Sequence, residues 1–235
     1  MLRNRLSAII SLTTITLALT IISAAAYSQP SPSQGDARAF FHSLAGEWVG
    51  TCEQTTDGES PDNKYFHAVV KQLDNNIFES RFEYYRFDPK SKTAVRAGEA
   101  VITTTVGPDG IARSKATGQG TVLVNKQPKS QKHEVNEVLG FAGNNSMQGQ
   151  GSGTIKISGM PLGLGKNGKI DNATTIWTLS NEVMTVHQTL KAGFRALFFK
   201  KHFSIVAHYS ARRGSDVVSL MKKNMQVTAK RPGAI

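Results

Sequence analysis

Residues 40–54 read FFHSLAGEWVGTCEQ, and within this stretch helical sequence gives way to strand sequence. Its first residues place two phenylalanines and a leucine at the i, i+1, i+4 spacing that forms one apolar helical face. Gly46 interrupts that pattern, and Trp48 begins a run of strand-forming residues. We therefore predict a short helix that Asp36 caps and that ends near Leu44, followed at once by the first strand of a sheet.

Strand and turn signals alternate beyond this point, and no second long helical period appears before the C-terminal tail. Hairpin turns such as Asp57-Gly58 leave no room for crossover helices, so the sheet is predicted to be antiparallel. A sheet this long normally closes to remove its edges. We predict an all-β fold, an antiparallel up-and-down β-barrel of about ten strands preceded by a short N-terminal helix. The predicted strands are 46–56, 64–73, 77–88, 93–106, 111–124, 133–140, 146–157, 173–179, 182–190 and 203–213.

The N-terminal residues have the three parts of a secretory signal peptide: two arginines, an uncharged apolar run, and small residues at Ala24 to Ala26. An uncleaved membrane anchor is the alternative, because the apolar run approaches the roughly 18 residues of a spanning helix. The protein is accordingly predicted to be exported, either to the periplasm or out of the cell. The predicted organisation is a signal peptide over 1–26, a disordered linker over 27–35, a β-barrel domain over 36–213 and a basic tail over 214–235.

The chain is basic, with a formal net charge of +11, and the excess is uneven. From Arg212 onward, six basic residues stand against Asp216 alone. Export argues against nucleic acid as the partner of this charge. Cys52 is the single cysteine, so no disulfide within the chain stabilises the fold, and we predict that it is a small buried apolar residue.

Gly46-Glu47-Trp48, which follows a short helix and opens the first strand, resembles the Gly-x-Trp signature of the calycin superfamily. That superfamily includes lipocalins, fatty-acid-binding proteins and nitrobindin-like barrels. The resemblance implies that Trp48 packs across the closed end of the barrel against Arg212 or Arg213 of the last strand, through a cation–π contact. It also implies a cavity for a small apolar molecule.

The width of the barrel independently supports a cavity, because about ten strands enclose more space than their own side chains fill. Aromatic and charged residues alternate along strand 77–88, and the charged face must point to water. A small lipophilic molecule is therefore the predicted partner. The residues predicted to contact it are Phe78, Phe82, Tyr84, Trp177 and Tyr209, with an ordinary core role as the alternative for each.

Glycines recur inside strand-like runs, as in 117–121 and 148–154. A phosphate-binding loop would require a helix directly after the glycines, and none is evident. We predict instead that these glycines permit the bends of a closing barrel. The similar run 163–169 lies within 158–172, which is predicted to be a mobile loop.

Cofactor and catalytic signals are sparse. The histidines show no zinc-binding spacing, and no cofactor is predicted. The resemblance to nitrobindin-like barrels leaves a haem alternative, in which His208, or His187 on the neighbouring strand, binds the iron. No nucleophile with a base and no paired carboxylates stand out, so no catalytic residue is predicted, and isomerase or cyclase chemistry in the cavity is left open.

Phenylalanines and cations are interleaved between the last two predicted strands, which is typical of a membrane-surface or lid element. The alternative is a hairpin whose phenylalanines fold back over the barrel mouth. The tail is predicted to continue as a helix that Ser215 caps and that ends near Met225, either solvated or in contact with a membrane. An accessory protein on an anionic envelope surface is thus the second functional hypothesis beside a lipophilic carrier. The predicted membrane contacts are Phe194, Leu197, Phe198, Lys200 and Lys201, and the apolar stripe of the tail helix is Val217, Leu220 and Met221.

Overall fold

The structure is a computed structural model, and it describes residues 34–229 apart from 58–59, 89–90, 92, 125–126, 144, 160–163 and 197–199. The predicted signal peptide, and the predicted linker up to residue 33, lie outside the described residues. Ten antiparallel strands close into a barrel between two helices, which confirms the predicted fold. The elements are α1 (Gln34–Leu44), β1 (Gly46–Thr56), β2 (Asp62–Asp74), β3 (Ile77–Asp88), β4 (Thr93–Val106), β5 (Ala112–Val124), β6 (Gln127–Gly143), β7 (Ser146–Ile157), β8 (Leu164–Ser180), β9 (Val183–Ala196), β10 (Lys200–Arg213) and α2 (Val217–Ala229).

Each strand pairs with its neighbours in sequence, and β1 closes the barrel by pairing with β10. In that closing pair Trp48 lies opposite Arg213 at one end, and Thr56 lies opposite Ile205 at the other. The alternation of buried and exposed residues along the strands follows from the pleat, because successive side chains point to opposite faces. On β1, for example, Trp48, Gly50 and Cys52 are buried.

The predicted mobile loop over 158–172 is wrong for most of its length, because β8 begins at Leu164. Gly168 pairs with Phe194 of β9, and a Cβ atom on this glycine would lie 2.7 Å from the Phe194 ring. Glycine therefore suits a strand here, since it leaves room for the ring. The turn-type residues of this segment hide that strand in the sequence.

Both helices begin at residues other than those expected. α1 starts at Gln34, so Asp36 lies inside the helix and does not cap it. At α2 the cap is Asp216 and not Ser215, because the backbone N–H of Ser219 donates to Asp216 Oδ1 at 2.9 Å. A carboxylate at this position accepts from the free N–H groups of the first turn.

The apolar core has two parts. The first part includes the buried residues of α1, which covers one end of the barrel. Phe41 of α1 packs on Phe78 with ring centroids 5.6 Å apart. The second part lies toward the opposite end and includes Phe194 packed edge-to-face on Phe203 at 5.4 Å. A cavity lies between the two parts and forms the candidate functional site.

α2 lies against β1 and β2. Val217 and Met221 are buried there, while Val218 is 43% exposed. The predicted apolar stripe thus has a partner within the domain at two of its positions. None of the helices in the described part of the chain has the length and apolar character needed to cross a bilayer.

Candidate functional site

A tryptophan and an arginine close the end of the barrel beside α1. Trp48 is fully buried, and its indole N–H donates to the Leu44 carbonyl at 2.8 Å. The Arg213 guanidinium lies 4.2 Å from the centre of the Trp48 ring and donates to the Ser43 carbonyl at 2.6 Å. Of the two arginines named from the sequence, Arg213 makes this contact, while Arg212 is exposed.

A cavity lies in the barrel between the two parts of the core, since residues of both parts line it. The cavity has a volume of about 100 Å³. For comparison, an engineered cavity of roughly 150 Å³ in another protein binds benzene. The volume therefore suits a small organic molecule and not a long lipid chain.

The cavity exists because small residues occupy the inner face of two neighbouring strands. Ala100 pairs with Gly118, and Gly98 pairs with Gly120, so β4 and β5 offer almost no side-chain volume there. Opposite them stand large aromatic residues. The strand glycines predicted to permit bending therefore also create the space.

Four aromatic residues predicted as ligand contacts line this cavity: Phe82, Tyr84, Trp177 and Tyr209. Phe82 and Tyr84 are stacked with centroids 6.3 Å apart, and Phe82 lies 6.4 Å from Trp177. Tyr209 lies 6.3 Å from Tyr84. The fifth predicted contact, Phe78, does not line it.

Phe78 lies instead beside α1, because it stands near the start of β3, at the closed end of the barrel. Phe66, which the sequence analysis did not single out, packs behind the aromatic wall, 5.7 Å from Phe82. The strand pattern could have revealed it, since every second residue from Asp62 to Val70 is buried and the residues between them are half-buried or exposed.

A buried carboxyl group that the sequence analysis missed lies deep in the cavity. Glu137 follows Val135 and precedes Leu139 on the inner face of β6, and Leu139 belongs to the core at the α1 end. The Thr175 hydroxyl donates to Glu137 Oε1 at 2.5 Å. Burial raises the pKa of Glu137, although hydrogen bonds from Thr175 and Gln188 act in the opposite direction.

A glycine allows the contact between Glu137 and Thr175. These residues lie on β6 and β8, which are separated by β7. Gly151 of β7 pairs with Glu137, and a Cβ atom on this glycine would lie 2.7 Å from Glu137 Cγ. The absence of a side chain at Gly151 therefore lets side chains of the two neighbouring strands meet across β7.

A lysine occupies the part of the cavity near the β1–β2 turn. Lys64 Nζ lies 3.1 Å from the Asp62 carboxylate and donates to Gln54 Oε1 at 2.9 Å and to the Thr121 carbonyl at 3.0 Å. Asp62 also accepts from Arg86. The three hydrogens of the ammonium group thus have three acceptors, and Lys64 has none left for a ligand anion.

The pKa values in this ion cluster reflect burial and pairing together. Burial lowers the pKa of Lys64, while the Asp62 charge acts against that shift. Burial alone would raise the pKa of Asp62, but the hydrogen bonds and charges of Arg86 and Lys64 outweigh it and lower that pKa. The cluster is therefore a paired, charged structural element.

Three further polar groups line the cavity. The His133 ring lies against Gly118, and burial lowers its pKa, so the imidazole is neutral at neutral pH. Gln131 Oε1 is buried and finds no hydrogen-bond partner among the described residues. Cys52 is buried as predicted, and burial raises the pKa of its thiol to about 11, which keeps it protonated and unreactive.

The two histidines of the haem alternative lie on the outside of the barrel. His187 and His208 pair across β9 and β10, with their Nδ1 atoms 2.9 Å apart and their rings solvent-accessible. Neither lines the cavity, so the structure does not bring these histidines to it, and haem binding through them stays a prediction. Within the described part of the chain, no group of three or more side chains could hold a metal ion.

The aromatic and basic segment is only partly described. Phe194 is fully buried, so this structure does not present it to a membrane, and the fold-back alternative describes it better. Lys201 lies 4.7 Å from the centre of the Phe203 ring. Leu197 and Phe198 lie outside the described residues, as does the side chain of Lys200, and their membrane contact stays a prediction.

Comparisons with known proteins do not assign a family. No family model matches the chain, and no curated protein matches it. Among solved structures, Rv2717c from M. tuberculosis is similar with 10% sequence identity and a TM-score of 0.44, over 76% of this chain and 98% of that one. Nothing about function is drawn from that similarity.

Proposed function

We propose that this protein binds a small, partly apolar molecule inside its barrel. The cavity between the two parts of the core carries the proposal, because an aromatic wall and a buried carboxyl group both line it. Ligand sites typically combine an apolar lining with a few placed polar groups. The sequence predicted a lipophilic ligand. Because polar groups also line the cavity, we propose a ligand with both apolar and polar parts.

Binding is favoured over catalysis by the chemistry of the lining. Cys52 is a protonated thiol, and the charges of Lys64 and Asp62 neutralise each other. In the described lining the Thr175 hydroxyl donates to the Glu137 carboxyl group, so both groups have fixed positions. The polar groups can therefore orient a ligand.

We also propose that the protein works outside the cytoplasm. The N-terminal pattern of arginines, an apolar run and Ala24 to Ala26 supports this. Fractionation of cells that express the full chain, followed by N-terminal sequencing of the mature protein, tests it. Cleavage after about residue 26 is the expected result, and an uncleaved cytoplasmic chain would contradict it.

Filling the cavity tests the binding function. Ala116 faces the cavity, and Ala116→Leu places a larger side chain there, while Thr117→Leu adds the same side chain on the exposed face of β5. We expect native mass spectrometry of the protein from its own cells to show a small non-covalent adduct. The adduct should be lost in Ala116→Leu and kept in Thr117→Leu. An adduct that survives Ala116→Leu, or xenon that fails to enter the wild-type barrel by NMR, would overturn the proposal.

A further inference from the structure

We propose that the deep half of the cavity is a site for a small organic cation, an alkylammonium group held between the aromatic wall and the Glu137 carboxyl group. The inference rests on the proposed binding function and names the class of its ligand. It combines three observations: the aromatic wall, a buried carboxyl group that lacks a cationic partner, and a lysine whose hydrogens are all engaged.

The aromatic wall offers the first half of a cation site. The faces of aromatic rings carry negative potential, and a cation within about 6 Å of a ring centre is attracted to it. Phe82 and Trp177 stand 6.4 Å apart, and Phe82 and Tyr209 stand 6.5 Å apart, so several rings can contact one small group. Quaternary ammonium ligands are typically recognised by such groups of rings.

Glu137 offers the second half. Its hydrogen-bond partners, Thr175 and Gln188, are both neutral, and among the described residues no cation lies close enough to shift its pKa. A buried carboxylate normally requires an opposite charge. A bound ammonium group would supply that charge, which no side chain of the described lining provides.

An anionic ligand fits this cavity less well. The ammonium hydrogens of Lys64 are taken by Asp62, Gln54 and Thr121, so a ligand carboxylate would have to displace one of them. Lys64 is bonded to Gln54 of β1 and Thr121 of β5, whereas Glu137 is bonded to Thr175 of β8. The lysine and the Glu137 carboxyl group are therefore held by different strands of the cavity wall.

Size agrees with this class of ligand. The cavity volume of about 100 Å³ is of the same order as the roughly 150 Å³ of a cavity that binds benzene. Choline and short alkylamines have this size. A long-chain fatty acid exceeds it.

The test compares choline with 3,3-dimethylbutan-1-ol, a neutral molecule of the same shape, by isothermal titration calorimetry on the full chain. We expect choline to bind at least tenfold more tightly than the neutral isostere. Glu137→Gln should abolish that preference. The matched variant Glu134→Gln lies on the same strand but faces outward beside Lys115, and it should retain the preference.

The pH dependence of choline binding provides a second readout. Affinity should rise with pH as Glu137 loses its proton, and the isostere should show no such rise. Of the other titratable groups that line the cavity, Cys52, Tyr84 and Tyr209 stay protonated and His133 stays neutral at neutral pH, because burial raises the pKa values of the first three and lowers that of His133. Lys64 is paired with Asp62, and the partly exposed Glu99 carboxylate accepts from Arg96 and Gln119. Glu137→Gln should therefore remove the dependence.

The outcomes separate the two proposals. If the isostere binds as tightly as choline, or if only the isostere or hexanoate binds, the barrel is a binding protein but the cation site is refuted. If no probe binds and xenon does not enter the barrel, the proposed binding function itself fails. The choline preference of the wild-type chain needs no variant, so it remains decisive even where Glu137→Gln does not fold.

Discussion

Truncation of Trp48 measures how much the plug contributes to the stability of the barrel. The side chain is fully buried, donates to Leu44 and lies under the Arg213 guanidinium. Trp48→Ala should lower the free energy of unfolding by about 3–5 kcal/mol, the cost of a large core truncation. For a domain of this size that corresponds to a fall in Tm of about 6–20 °C, at roughly 2–4 °C per kcal/mol.

Differential scanning calorimetry of Trp48→Ala and of a control variant measures this loss of stability. Thr51→Ala changes an exposed residue on the same strand and should alter stability by no more than about 0.5 kcal/mol. A double-mutant cycle with Arg213→Met should give a coupling energy of about 0.5–2 kcal/mol for the cation–π contact. If Trp48→Ala is no more destabilising than Thr51→Ala, the plug does not stabilise the barrel and the reasoning is refuted.

The remaining predictions concern buried carboxyl groups, and urea denaturation checks both. Asp62→Asn should destabilise the fold by about 3 kcal/mol, because it leaves Lys64 without its buried counter-charge. Adding Lys64→Met to Asp62→Asn should recover part of the lost stability, and no recovery would contradict the pairing of the two residues. Because the pKa of Glu137 is raised, its carboxyl group binds the proton more tightly in the folded state than in the unfolded state. The stabilisation from this proton is therefore full below the ordinary pKa of 4.5 and is lost as pH rises through the raised pKa. Glu137→Gln should remove this loss of stability, and an unchanged pH profile would show that Glu137 ionises normally.

The architecture could be predicted because alternation and turn chemistry agree along most of the chain. The closing contact was implied by the resemblance of Gly46-Glu47-Trp48 to the Gly-x-Trp signature, and in the structure Trp48 lies opposite Arg213 in the β1–β10 pair. The start of β8 could not be predicted, because Lys166, Asn167 and Gly168 read as a turn. The pairing of that segment with β9 depends on a fit between Gly168 and Phe194 that only the folded barrel reveals.

The sequence predicted which face of a strand carries the site residues, but not how far along the barrel each residue lies. Alternation along β3 placed Phe78 and Phe82 on the same inner face, yet it says nothing about height in the barrel, and Phe78 belongs to the plug. Glu137 was missed because acidic residues in strands usually face water. The strand pattern could have revealed it, because Glu137 lies two residues from both Val135 and Leu139 and therefore shares their inner face, which Glu134 does not.

The pairing of the first strand with the last has a consequence for how the chain reaches its fold. β1 and β10 are hydrogen-bonded, and Arg213 bonds to carbonyl groups about 170 residues earlier in the chain. Contacts of such long sequence separation form slowly, because the entropy of closing the loop is lost before any contact compensates for it. A chain that stops short of β10 would keep the free edges of β1 and β9, which are templates for pairing with another copy. Nascent or clipped chains should therefore aggregate, and solubility should appear only once β10 is complete.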